Sequence, residues 1–122
     1  MSYDVELVDA ETGTVLVLPE HTCAPQGGTY VLGSTHAEFN ITYNYGPKIR
    51  EVLHPDGVRW LYGQRASQTI PALAIAVSKL SPPEGDGSAA DYWTPTEGNV
   101  RVALLGLLAL AINCPEGVWQ GD

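Results

Sequence analysis

Glu38 to Leu53 reads EFNITYNYGPKIREVL, and the fold turns on how this stretch is placed. Its first half alternates, with Phe39, Ile41, Tyr43 and Tyr45 on one side and Glu38, Asn40, Thr42 and Asn44 on the other. That is the period of a half-buried strand, predicted here over Ala37 to Asn44. Gly46 and Pro47 then open a short helical pattern whose Ile49, Val52 and Leu53 share a stripe. Asn is depleted in strands, so Asn40 and Asn44 stand against local propensity. The row Glu38, Asn40, Thr42 and Asn44 is therefore expected to meet either solvent or a ligand.

Working outward, Tyr3 to Val8 alternates and Thr14 to Leu18 is apolar and β-branched, which predicts an N-terminal hairpin with Gly13 at a positive-φ position. Pro19 to Gly28 reads as a loop, and Gly28 to Gly33 as a short strand or a structured loop. Val58 to Tyr62 alternates and is expected to be a strand or an extended connector. A helix is predicted from Gln68 or Thr69, because Pro71 must fall where its missing N–H does no harm. Its apolar face is Ile70, Leu73, Ala74, Val77 and Leu80.

Ser81 to Ser88 has the composition of an exposed loop. Thr94-Pro95-Thr96-Glu97 then predicts a capping box, with Thr94 as N-cap, Pro95 first and Glu97 third. Val100 to Ile112 is apolar nearly all round, as a buried helix would be, and Gly106 within it admits a close neighbour. Val118-Trp119 is expected to fold back as a tail. These elements predict a single α+β domain over residues 1–122. It has a small antiparallel sheet, the N-terminal hairpin plus one or two further strands, and about three helices with the last one buried.

Fourteen acidic against six basic residues give a net charge of -8, which excludes general nucleic-acid binding, since that needs a basic surface. Lys48, Arg50, Arg59 and Arg65 nevertheless fall close together in the chain, with only Glu51 and Asp56 among them, so a small anion could be held there. The first residues lack the basic start and apolar run of a secretory leader, and the longest apolar run, Val102 to Ile112, is shorter than the roughly 20 residues that span a bilayer. A cytoplasmic location in a bacterial host, with Cys23 and Cys114 as free thiols and no membrane contact, is the expectation.

Three groups of residues are candidates for ligand binding. The first is the polar strand face, Asn40, Thr42 and Asn44, which as a plain solvated sheet face would need no ligand. The second is Arg59, Trp60, Tyr62 and Arg65, ahead of a helix start near Ala66 to Thr69 whose free N–H groups would favour an anion. Core anchoring of the aromatics and surface ion pairs of the arginines are the competing explanation. The third is Tyr92, Trp93 and Asn99 around the start of the last helix, where Trp93 lacks a staple partner because Gly98 stands at the fourth position.

His21, Cys23, His36, His54 and Cys114 do not have the spacing of a metal module, and no nucleophile motif or phosphate loop is present. Glu38 and Glu97 are the only acid–base pair suggested, and Glu97 is explained by its cap. No catalytic residue, metal or cofactor is expected, and the balance points away from an enzyme.

The segment Asn40-Ile41-Thr42-Tyr43-Asn44, the helix opened through Ile70-Pro71 and the Thr96-Glu97-Gly98 start of the last helix resemble a group of small uncharacterised bacterial and phage proteins. In that group an N-I-T-[YH]-N strand precedes a short helix and a T-E-G segment opens the last one. The resemblance implies the same small α+β domain and a bacterial or phage accessory role. The expected function is non-enzymatic: a polar and aromatic cleft that binds a small polar or anionic ligand, with sequestration of a nucleotide-type immune signal (anti-defence) as one form. The alternative is an acidic protein-interaction or inhibitor module acting on a host protein. Both leave room for a homo-oligomer.

Overall fold

A strand has only two edges, and this limit explains why the predicted hairpin does not form as a pair of strands. The computed structural model of the chain describes residues 1–18, 36–82 and 93–122. In it β1 (Ser2–Val8) is the middle strand, β2 (Glu38–Thr42) takes one edge and β3 (Val118–Gly121) the other, both antiparallel. Thr14 to Leu18 is left with isolated bridges, Val8 to Val15 and Val17 to His36. It closes the end of the sheet through a ring of backbone bonds: Leu7 N–H to Ala37 O at 2.9 Å, Ala37 N–H to Leu16 O at 2.8 Å, and Leu16 N–H to Leu7 O at 2.9 Å. The turn before it is as predicted around Gly13, at φ 73°. There the Asp9 carboxylate accepts the Thr12 and Glu11 N–H groups, which hold its pKa below the ordinary value.

The sheet carries helices on one face, as an α+β domain does. Tyr3, Val5, Leu7, Phe39, Ile41 and Trp119 point inward and are buried, while Asp4, Glu38 and Gln120 on the other face are exposed. The helices are α1 (Gly46–Val52), α2 (Ala66–Ser78) and α3 (Glu97–Asn113). The third is the buried one, with only Glu97 and Ile112 exposed. Gly106 is where β2 crosses it: a Cβ there would sit 2.5 Å from Cε2 of Phe39, so the ring occupies the space that any side chain would need. No helix among the described residues is long and apolar enough to cross a membrane.

Several boundaries differ from the sequence expectation, each for a local reason. The organising strand stops at Thr42, whose hydroxyl accepts the Asn44 N–H at 3.3 Å and turns residues Tyr43–Tyr45 into a 3-10 helix. Such side-chain bonds compete with a ladder. Val58 to Tyr62 is no strand either. Gly57 at φ 68° starts a 3-10 helix over Gly57–Leu61.

Helix α2 begins at Ala66, before its sequence signal, because Ala66 and Ser67 donate to Gly117 O and Pro115 O at 2.7 and 2.9 Å. Pro71 consequently lies inside the helix, at a cost of about 3 kcal/mol that burial of Leu73, Ala76 and Val77 offsets. The cap of α3 is Thr96 rather than Thr94, its hydroxyl accepting Asn99 N–H at 3.2 Å. With Glu97 then the first helical residue, Gly98 is the second, and the missing staple partner of Trp93 is no longer a puzzle. The predicted Gly28 to Gly33 strand and the Pro19 to Gly28 loop lie outside the described residues.

The tail Val118-Trp119 is the third strand, and Trp119 ties three elements together. Its side chain is fully buried, its indole N–H donates to the Thr69 hydroxyl of α2 at 2.9 Å, and Thr69 donates to Ala66 O at 2.7 Å. Its backbone meets the connector before α2, with Trp119 N–H to Gln64 O at 3.0 Å and Gly63 N–H to Trp119 O at 2.8 Å. Thr69→Val keeps the shape but strands the indole proton, and is expected to lower stability by about 1–3 kcal/mol. Thr69→Ser, which keeps the acceptor, should lie within experimental error of wild type, with urea unfolding as the measurement.

Candidate functional site

Tyr3 stands at the end of β1 on the helix side of the sheet, and two arginines from different elements flank it. Arg59, on the 3-10 helix Gly57–Leu61, has its guanidinium carbon 5.2 Å from the Tyr3 ring centroid and 5.8 Å from that of Tyr43. The two rings meet edge to face at 4.5 Å. Arg59 also donates to the Tyr43 hydroxyl at 3.4 Å and faces the Asp122 carboxylate at 3.6 Å. Cation–π contact fixes the charge while leaving donors of the guanidinium fork unused.

Arg50, one turn into α1 from Gly46, is the second. Its Nη1 lies 3.2 Å, and the Tyr3 hydroxyl 3.0 Å, from the point a Cβ on Gly46 would occupy, so the two groups are separated by at most the sum of those distances. Its Cγ lies 3.1 Å from the corresponding point on Gly57. Two glycines therefore clear the track in which this long side chain runs. Arg50 is exposed and makes no ion pair among the described residues.

Tyr62 closes the group from below. Its hydroxyl is buried without a hydrogen-bond partner and lies 2.7 Å from where a Cβ on Gly121 would be. Burial pushes its phenol up to about 12, the Asp122 carboxylate adds to the rise, and the Arg59 charge opposes it. Gly121 also abuts the Asp4 carbonyl, so only glycine lets β3 run past and deliver Asp122 beside Arg59.

The residues named from the sequence are brought together only in part. Asn44 donates to the Trp93 carbonyl at 3.0 Å, and Trp93 is 46% exposed rather than plugged into the interior. With Tyr43 next in the chain to Asn44, Arg59, Tyr62, Asn44 and Trp93 are linked through neighbouring residues. Trp60 turns elsewhere, stacked on His54 at 5.0 Å and 11°. Asn40 donates to Ser2 Oγ and Asp4 Oδ1 on the outer sheet face, Thr42 is a buried cap, and the Asn99 amide donates to Thr94 O at 2.9 Å. Tyr92 lies outside the described residues.

Arg65 is the clearest departure. It bridges to Val118 at the far end of β3 and pairs with Glu116 at 2.9 Å, roughly 13 Å of strand away from the Asp122 end. The anion site expected at the start of α2 is filled by protein: Ala66 and Ser67 donate to backbone carbonyls, and Gln68 N–H to Arg65 O at 3.0 Å. An open depression of about 350 Å³ nearby is lined by Asp9, Ala10, Glu11, Leu16, Arg65 and Glu116, with three acids to one base.

Tyr3, Tyr43, Arg50 and Asp122, which the structure brings near Arg59 or the Tyr3 hydroxyl, were not among the residues named from the sequence. The density of bases from Lys48 to Arg65 was the one signal pointing to Arg50. No group of metal-ligating side chains is present among the described residues, and buried Cys114 has its thiol pushed up by burial, away from nucleophilic use. The chain matches no protein-family model, no curated protein and no solved structure.

The raised Tyr62 pKa has a sign that can be tested. An unfolded chain loses this proton near 10.0 whereas the folded protein keeps it to about 12, so the group's contribution to stability falls as pH rises from 10 to 12. The difference between wild-type and Tyr62→Phe absorbance titrations at alkaline pH should show a phenolate step near 12, and Tyr62→Phe should be no less stable at neutral pH. A step near 10 would contradict the burial.

Proposed function

We propose that this protein is a non-enzymatic binding module that holds a small anionic ligand between Arg50 and Arg59 at the Tyr3–Tyr43 edge. The observation that carries the reading is the pair of guanidinium groups near Tyr3, one over its ring and one running past Gly57 to Gly46, which the Tyr3 hydroxyl also borders. The chain has only six basic residues and a net charge of -8, and two of the six lie at this one aromatic edge, with Asp122 beside Arg59. Forked donors suit phosphate and carboxylate alike. A nucleotide-type ligand adds a flat base that half-exposed Trp93, tied to this end by Asn44, would accept by stacking. The resemblance to small bacterial and phage proteins implies an accessory role without naming a ligand; sequestration of a nucleotide-type signal is the form of that role we propose.

Nucleotides, inorganic phosphate and dicarboxylates titrated into labelled protein, followed by NMR and calorimetry, test this. Arg50→Ala and Arg59→Ala should each weaken binding about tenfold or more, as loss of a charge-assisted bond does, with the melting temperature little changed. Arg65→Ala should leave binding alone. Equal damage from Arg65→Ala, or no anion bound by wild type, would overturn the reading.

A second reading rests on the other side of the sheet. Glu6 and Glu38 are directly opposed across β1 and β2, with Asp4 one pair away, and like charges so placed destabilise a sheet. An acidic face kept at that cost suits a basic protein partner. Glu6→Gln with Glu38→Gln should then raise stability while weakening capture of a Lys/Arg-rich peptide. Capture that does not decline with salt would count against it.

A further inference from the structure

The Arg59 site already holds an anion of its own. Asp122 Oδ1 stands 3.6 Å from Nη2 of Arg59, well beyond the usual length of a charge-assisted bond, whereas Arg65 and Glu116 close to 2.9 Å in the same molecule. The backbone brings it there: Asp122 N–H donates to Asp4 O at 3.2 Å, and Gly121, wedged between that carbonyl and Tyr62, carries β3 on to place the carboxylate beside Arg59. Both side chains are mainly exposed, at 54% and 64%, which leaves the pair weak and open to exchange.

Building on the binding function proposed above, we propose that Asp122 is a tethered competitor at Arg59, so that an incoming oxyanion binds by displacing it. The site is thus occupied when no ligand is present and is selective for ligands whose charge outmatches one loosely held carboxylate. Binding exchanges one anion for another: Asp122 turns to solvent, Arg59 keeps its place over Tyr3 and Tyr43, and the ligand gains Arg50, which Asp122 is not seen to engage. A monoanion that reaches Arg59 alone gains little by this exchange. One spanning both arginines gains a second contact.

The test uses Asp122→Asn, with Glu11→Gln on the exposed turn after β1 as an equal change of charge, and inorganic phosphate and succinate as probes. Asp122→Asn should tighten phosphate binding about three- to fivefold, the range an exposed ion pair commands, while Glu11→Gln changes it less than about twofold. Without any probe, Asp122→Asn should also shift the Arg59 Nε–H resonance and lower the alkaline titration point of Tyr62. If wild type binds phosphate but Asp122→Asn alters neither the affinity nor the two probe-free signals, the competitor is overturned and the site stands. If the probe-free signals move but neither protein binds phosphate or succinate, the binding site itself is overturned. Tighter succinate but unchanged phosphate would confine the displacement to carboxylate ligands and overturn the general oxyanion form.

Discussion

The buried hydrogen bond from the Trp119 indole to Thr69 is the contact on which the rest depends. A tryptophan in a core brings a large apolar surface and one donor that must be satisfied. Here the donor finds the hydroxyl of a fully buried threonine on α2, which passes its own proton to Ala66 O. That bond fixes the height at which β3 lies against α2. The backbone bonds of Trp119 to Gly63 and Gln64 fix the connector that follows Arg59 and Tyr62. With β3 set against α2 and the connector, its pairing with β1 carries Gly121 and Asp122 on to Tyr62 and Arg59.

Around this pin, glycine does the spatial work. Gly106 lets β2 lie against α3 through Phe39, Gly46 and Gly57 open the path of Arg50, and Gly121 lets β3 pass Tyr62. Each removes a side chain where another is needed, and three of the four border the arginine–tyrosine edge. Only Gly57 is required by its backbone as well, at φ 68°. The charges follow the same layout. The outer sheet face is acidic, whereas the helix-side end of the sheet gathers Arg50 and Arg59, so the molecule has two faces of different character despite its net charge of -8.

The fold class was legible because periodicity reports burial, and burial is what α3, β2 and β1 share. Val100 to Ile112 reads as a buried helix because nothing polar interrupts it, and Phe39 and Ile41 alternate because one sheet face is covered. Boundaries were less legible because they are set by bonds to distant residues. Ala66 joins α2 through Gly117 O, and Val118-Trp119 becomes a strand only because β1 has an edge left to pair. How the candidate residues are grouped in space was only partly legible, for the same reason. Arg59, Tyr62, Asn44 and Trp93 could be named from residue type and position, but sequence proximity placed Arg65 beside Arg59, and the geometry of β3 draws them to its opposite ends. Asp122 and Tyr3 meet Arg59 from opposite ends of the sequence, separations no local pattern carries.

Native-state hydrogen exchange of the Trp119 indole N–H tests the central claim most directly. If Trp119 pins strand, connector and helix as one unit, this proton exchanges only through global unfolding, with the same opening free energy as the amides of Leu104 and Leu107 in α3. Exchange through a smaller local opening, at a rate approaching that of the half-exposed Trp93 indole, would show that β3 leaves the core independently and would contradict the account.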